Sequence, residues 1–176
     1  NGIKIHTHFN LAKGVPSKIK VDNGSSGEVD ALKESLTACQ LYLLDRGYAS
    51  YSLMKEIIEV GSSFVLRLPS NSRYEAQEVR ELTNADKAAG VVSDTIATLG
   101  TGKSPLKQAV RIVEIEVPEQ EQRGLAPETL KSARGNAPRK KRGTSYRLVL
   151  VTDRMDLSAE TIGLLYLNRW KVEIFF

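Results

Sequence analysis

The chain has 176 residues, 41% of them apolar and 26% charged, which excludes wholesale disorder and gives enough length to bury a core without disulfide staples. Lys and Arg number 25 against 21 Asp and Glu, a formal charge of +4. No apolar run approaches the ~18 residues that a membrane-spanning helix requires, and the opening Asn1-Gly2-Ile3-Lys4 is not the start of a signal-peptide pattern.

In chain order, Ile3 and Ile5 alternate with Lys4 and His6, the period of a strand. A turn at Lys13-Gly14 leads into a second alternating run over 15–21, with Val15, Ser17, Ile19 and Val21 on one side, so the two runs predict a hairpin. Residues 28–38 predict a helix with Val29, Leu32 and Leu36 on one stripe. Cys39 is the single cysteine, can form no intrachain disulfide, fits a reducing cytosol and is expected as a small core residue. The continuous apolar run 41–44 predicts a strand buried on both faces, as in a parallel sheet, ending at Asp45. Residues 51–60 predict a second amphipathic helix with Leu53, Met54, Ile57 and Ile58 inside and Gly61 as its stop. A short strand over 64–68 closes at Pro69.

The chain then changes character. Residues 91–99, 109–117 and 146–151 predict strands, and no amphipathic helix is visible between 84 and 152. The polar link 118–144 between two of these strands is long enough to expect a function or disorder. Helix returns over 158–176, with Ser158 as N-cap and Glu160 favourable near the positive end. Asn1 enters a strand at once and Phe175-Phe176 ends within the helical pattern, so the sequence reads as a fragment of a longer protein.

Charge is unevenly spread. Between Glu128 and Asp153 there is no acidic residue, and the window holds Lys131, Arg134, Arg139, Lys140, Lys141, Arg142 and Arg147. These seven positive charges against a net of +4 leave the remainder at −3. A concentrated basic segment favours a polyanion through phosphate contacts and counterion release, the alternative being a solvated surface loop.

Two acidic residues stand out as candidates for chemistry. Asp45 follows a buried strand, and in open α/β sheets the ligand crevice lies at the carboxyl ends of strands. A carboxylate there can hold a hard cation such as Mg2+; alternatively it opens the turn before Arg46-Gly47. On the last helix Ile162, Tyr166, Arg169 and Glu173 fall within one arc, beside a packing stripe of Leu165, Val172 and Phe176. Arg169 can clamp phosphate oxygens in two places, or simply pair with Glu173 one helical turn on. His6 and His8 share a strand face, but no Cys, Asp or Glu nearby completes a ligand set. Gly100-Thr101-Gly102-Lys103-Ser104 fails as a phosphate loop because Ala97 stands where a glycine is needed.

Asp45-Arg46-Gly47-Tyr48 after an apolar strand resembles the second-aspartate motif of DDE transposases with an RNase H-like core. Tyr166-Leu167-Asn168-Arg169-Trp170-Lys171-Val172-Glu173 resembles the Tyr–x2–Arg–x3–Glu signature of the insertion-sequence-four superfamily. Lys4-Ile5-His6 and Gly14-Val15-Pro16 fit the opening hairpin of that superfamily, and the 128 positions from Asp45 to Glu173 fit a β-rich insertion. The family's first catalytic Asp lies on a strand before this hairpin, and its Lys seven positions past the Glu lies beyond Phe176; Asp22 and Asp30 do not match the first position.

The resemblance implies an α/β fold, an RNase H-like mixed sheet with flanking helices interrupted by a β-rich insertion domain. Residues 1–70 would be the first part of the core, 71–152 the insertion with its basic loop 131–147, and 153–176 the core helix bearing the catalytic Glu. It implies Mg2+ (or Mn2+) held by the first Asp, Asp45 and Glu173, two ions clamping an in-line displacement at phosphorus. Tyr166, Arg169 and Arg46 would contact phosphate or DNA, with Arg139, Lys140, Lys141 and Arg142 doing so from the basic loop. Tyr48 and Trp170 are expected as packing. The implied partners are double-stranded DNA at transposon ends and target, and a second protomer in a homodimer, in the bacterial cytoplasm at the nucleoid. The parent would be a polynucleotidyl transferase and endonuclease, and this fragment alone is expected to be inactive. The alternative is a non-catalytic DNA-binding or multimerising fragment of a truncated or decayed transposase.

Overall fold

The computed structural model describes residues 2–23, 27–69, 72–100, 106–117 and 146–169. The first element is an antiparallel hairpin, β1 (Ile3–Asn10) and β2 (Val15–Asn23), joined through Gly14 at φ +67°, a conformation open to glycine. Its polar side faces helix α1 (Glu28–Lys33): Lys4 pairs with Glu28 at 3.2 Å, Lys20 with Glu34 at 2.5 Å, and Nε2 of His8 lies 2.9 Å from Oγ of Ser35. The apolar side, with Ile3 78% and Ile5 65% exposed beside Ile19 and Val21, is uncovered among the described residues. The strands are where the alternation places them, and His8, packed edge-on against Tyr42, serves the tie between hairpin and body.

Helix α1 is shorter than its apolar stripe predicts. The hydroxyl of Ser35 donates back to the carbonyls of Ala31 and Leu32, an interaction that competes with helix continuation. Cys39 is a correction: it is exposed, not core, and sits at φ +59° in the turn before the next strand, its N–H bonded to the carbonyl of Gly61 at 3.1 Å.

The remaining strands form one six-stranded mixed sheet in the order β3-β4-β8-β7-β6-β5. They are β3 (Leu41–Leu44), β4 (Ser63–Arg67), β5 (Tyr74–Val79), β6 (Val91–Leu99), β7 (Leu106–Val117) and β8 (Tyr146–Thr152). β3 and β4 are parallel and every other pairing is antiparallel. The expected parallel strand is therefore present, but β3 lies at an edge of the sheet and only Leu44 is fully buried, so it is not covered on both sides as predicted. β8, late in the chain, fills the centre between β4 and β7.

Alternation along the strands splits the core into two apolar layers. Phe64, Leu66, Val110, Ile112 and Val151 point to the side covered by Leu53, Met54 and Ile57 of α2 (Tyr51–Glu59) and by Leu32. Val65, Val113, Ile115, Leu148 and Leu150 point to the other side, where Ala159, Ile162 and Tyr166 of α4 (Ala159–Asn168) pack. The result is a helix–sheet–helix sandwich, the mixed α/β architecture expected of an RNase H-like fold. Ser158 caps α4 as predicted, accepting the N–H of Thr161 at 3.1 Å. At Gly163 a Cβ would lie 2.7 Å from Cδ1 of Ile115, so the glycine lets α4 lie close on β7.

Between β5 and β6 the structure adds a helix that the pattern did not show. This is α3 (Asn84–Ala88), which begins with a reciprocal capping box between Thr83 and Asp86. Among the described residues no helix is long and apolar enough to cross a membrane.

Candidate active site

The site is built at one edge of the sheet by the parallel pair. In the β3–β4 register Leu44 lies opposite Leu66, so the next residues, Asp45 and Arg67, leave the strands side by side. Nη1 of Arg67 is 3.7 Å from Oδ1 of Asp45. Backbone pairing alone thus brings an acid and a base together from positions 22 residues apart.

Asp45 closes β3 and opens a single 3-10 turn, Arg46–Tyr48, whose backbone bends away from the sheet. Its side chain is 43% exposed, open to solvent on one side and bonded on the other. From the opposite layer α4 delivers Tyr166, fully buried, whose hydroxyl donates to Oδ1 of Asp45 at 3.1 Å across 121 positions of chain. Arg169 follows one turn later, with its guanidinium carbon 5.6 Å from the centre of the Tyr166 ring.

The electrostatics follow from these contacts. Burial pushes the Asp45 carboxyl up. The N–H of Arg46, the charge of Arg169, the hydroxyl of Tyr166 and the charge of Arg67 outweigh it and hold the group below its ordinary value. Asp45 is therefore ionised at neutral pH. The Tyr166 phenol is pushed up to about 12, first by burial and then by the negative charge of Asp45. It stays a proton donor to the carboxylate across the physiological range.

A divalent cation prefers one or two carboxylates, with water or phosphate oxygens filling its remaining positions. An ionised, half-exposed Asp45 with one oxygen engaged by Tyr166 fits as one such ligand. Among the described residues no group of three or more His, Cys, Asp or Glu side chains gathers in one place.

Of the residues singled out from the sequence, Asp45, Tyr166 and Arg169 come together here. Arg46 contributes its backbone N–H to Asp45, while the residue itself is exposed. Tyr48 is half-buried against the α2-side core, in keeping with packing. Glu173, Trp170, Arg139, Lys140, Lys141 and Arg142 lie outside the described residues. Sequence reasoning missed Arg67. Its signal was the same as that of Asp45, a charged residue at the carboxyl end of a short apolar strand, but the two strands had to be known as parallel neighbours first. It also left Tyr146 without a role; the Tyr146 hydroxyl accepts from Nη2 of Arg67, and the Arg67 guanidinium stacks 5.4 Å from the ring centre.

The sequence matches the transposase DDE domain over residues 1–176. The chain belongs to that family. Among curated proteins it is similar to a probable transposase for insertion sequence element IS5377 from Geobacillus stearothermophilus, 23% identical over 176 residues. That alignment takes in 99% of this chain and 40% of the relative, so the chain spans well under half of the relative's length.

Proposed function

We propose that this chain is part of the catalytic domain of a DNA transposase of the insertion-sequence-four type, with Asp45 as the second acid and Glu173 as the third. The observation that carries the reading is the Tyr166–Asp45 hydrogen bond. It joins one residue from each of the two sequence motifs, inside a chain of the transposase DDE family. The similar protein from Geobacillus stearothermophilus, a probable transposase, supports the same direction.

The substrate would be double-stranded DNA at the ends of the mobile element and then at the target. In cleavage, a water oxygen bonds to phosphorus as the bond to the 3′ oxygen breaks, leaving a 3′-hydroxyl. In joining, the oxygen of that hydroxyl bonds to a target phosphorus as the target's own P–O3′ bond breaks, and the departing 3′ oxygen ends as a hydroxyl, balancing the proton lost by the attacking one. Asp45 and Glu173 would hold Mg2+ or Mn2+, which when bound supplies charge stabilisation for the in-line displacement. The chain's own residues do the rest. Tyr166 fixes the Asp45 carboxylate and keeps it ionised, while Arg169, beside it, is placed to take a phosphate oxygen. Arg46, exposed at the mouth, would meet the DNA backbone.

We further read 1–70 as core, 71–152 as insertion and 153–176 as returning core, with Arg139, Lys140, Lys141 and Arg142 contacting phosphates from the insertion. Paired-end chemistry would need two protomers. The test is made in the full-length parent. Asp45→Asn and Glu173→Gln are expected to abolish strand cleavage while leaving binding to element ends nearly intact, read by gel shift on the same DNA. Full cleavage by either variant would overturn the assignment. Replacing 139–142 by Ser should weaken DNA binding and flatten its salt dependence by about 0.9 in log–log slope per lost phosphate contact. An unchanged slope would remove the basic segment from the interface.

A further inference from the structure

The most completely buried charges in the described chain are away from Asp45. Arg111 on β7 and Asp94 on β6 are 2% and 3% exposed. They form a two-pronged pair, Nε to Oδ1 at 2.7 Å and Nη2 to Oδ2 at 2.6 Å. Burying two charges costs several kcal/mol per ion before their attraction is counted, and pairs of this kind are often no more stabilising than an apolar replacement. What the pair holds is therefore of more interest than what it contributes to stability.

Its remaining donor, Nη1 of Arg111, reaches the backbone carbonyls of Arg154, at 3.4 Å, and Leu157. A second arginine clustered on the same carboxylate, Arg80 at 3.9 Å from Asp94, donates to the carbonyl of Met155 at 3.2 Å. Asp86 of α3 accepts the N–H of Glu160 at 2.9 Å. Arg80, Asp86 and Arg111 thus grip four backbone groups between 154 and 160, the stretch that leaves the sheet and starts α4. All three come from the block between β5 and β7, and none touches Asp45 or Tyr166 in any contact described above.

We propose that Arg111, oriented by Asp94, is a positioning residue that fixes the start of α4 and through the rigid helix sets the hydrogen bond from Tyr166 to Asp45. A helix rises 1.5 Å per residue, so Tyr166 lies about 10 Å along α4 from its first residue, Ala159, two positions past the gripped carbonyl of Leu157. Gly163 packs α4 onto β7 between them, and packed elements pass a displacement on as a unit. The strands of the insertion therefore set the geometry of the site without lining it. This inference rests on the reading that Tyr166 and Asp45 belong to the active site.

The test is spectroscopic and independent of catalysis. The 176-residue chain carries six tyrosines; labelled with 13C at Cζ, its Tyr166 resonance is assigned by Tyr166→Phe. Asp45→Asn gives the reference position for the altered bond. The double variant Asp94→Leu/Arg111→Met replaces the pair by apolar groups and removes the grip on the carbonyls. Its Tyr166 resonance is expected to move at least half-way to the Asp45→Asn position while circular dichroism stays native. A folded double variant with Tyr166 at the wild-type position would overturn the proposal, because a merely structural pair would alter the melting point and leave that resonance alone. If the double variant does not fold, Arg111→Lys serves the same test. It keeps the charge beside Asp94, but one ammonium cannot reproduce the fork that reaches carboxylate and carbonyls together, so the same shift is expected and its absence is again decisive. An Asp45→Asn chain in which Tyr166 does not respond would bring down the site geometry and the positioning role together. A responsive Asp45→Asn beside an unresponsive double variant overturns the positioning role alone.

Discussion

Asp45 and Asp94 are both aspartates that face arginines in one sheet, and they are held in opposite ways. Asp94 is sealed and bonded through both oxygens to Arg111. Asp45 is partly open, with Arg67 at 3.7 Å and a tyrosine hydroxyl occupying one oxygen. The closed pair has nothing left to offer a ligand. The open one is an ionised carboxylate with 43% of its side chain exposed, within reach of a cation or of water from solvent. The difference teaches that a charged pair marks a site when its bonding is incomplete, and that completeness marks a joint.

The contrast can be broken in steps. The largest effect is expected at the open aspartate: if Asp45 holds a metal ion as proposed, Asp45→Asn in the transposase that contains this chain should lower strand cleavage by more than about 100-fold, since loss of even an outer partner of a metal site costs 10- to 100-fold. A cleavage assay on element-end DNA measures it. Next, Arg111→Met alone leaves Asp94 buried without its main partner and should lower unfolding stability by about 3–5 kcal/mol, read from urea denaturation. The same substitution made together with Asp94→Leu should recover most of that loss. Asp45→Asn should change stability far less than Arg111→Met, and the reverse order would erase the distinction between site and joint.

Titration sharpens the comparison further. The Tyr166 phenol lies near 12, above its ordinary value of 10.0, so the fold favours the neutral form. That contribution is complete below pH 10 and is lost as pH rises through 12. The phenolate absorbance of Tyr166, isolated by difference against Tyr166→Phe, should follow that window, and in Asp45→Asn the midpoint should fall toward 10. Asp45 has the opposite sign. Its pKa is depressed, so its contribution is present above the ordinary carboxylate value and is lost as pH falls through the lower folded one. The smallest effect is expected at the cap of α4, where Ser158→Ala should cost about 1 kcal/mol in thermal or urea unfolding.

Much of this arrangement was legible beforehand. Period-two alternation located β1 and β2 and the short apolar runs located β3 and β4, because those patterns reflect which faces the backbone can bury; β6, β7 and β8 also lie where strands are expected between the Gly-, Pro-, Gln- and Lys-rich links. Asp45, Tyr166 and Arg169 were found from position and motif, and the structure brings them together. Other features depended on information no local pattern holds. Helix α3 is five residues long, too short for a period of 3.6 to show, and only the Thr83–Asp86 spacing marked it. Cys39 was expected inside because free cysteines usually are; the left-handed turn it occupies decided otherwise. The apolar sides of β1 and β2 were read correctly as sides, but alternation does not say whether anything covers them. Arg67, Tyr146 and the Asp94–Arg111 pair are tertiary facts, set by which strands are neighbours.

The placement of β8 has a consequence for how the protein is made. Thr152 donates to the carbonyl of Phe64 across 88 positions of chain, and β8 is the strand that joins β4 to β7. Contacts at such separation form slowly, because the intervening chain must be closed before they return any energy. During synthesis on the ribosome, the hairpin and the α1–β3–α2–β4 unit can assemble early from neighbouring contacts. Asp45 and Arg67 are then already side by side, but Tyr166 can reach them only after β8 has emerged and α4 has followed it. The hydrogen bond from Tyr166 to Asp45 is thus completed later than the pairing of Asp45 with Arg67, and the nascent chain carries those two charged residues for some time before Tyr166 joins them.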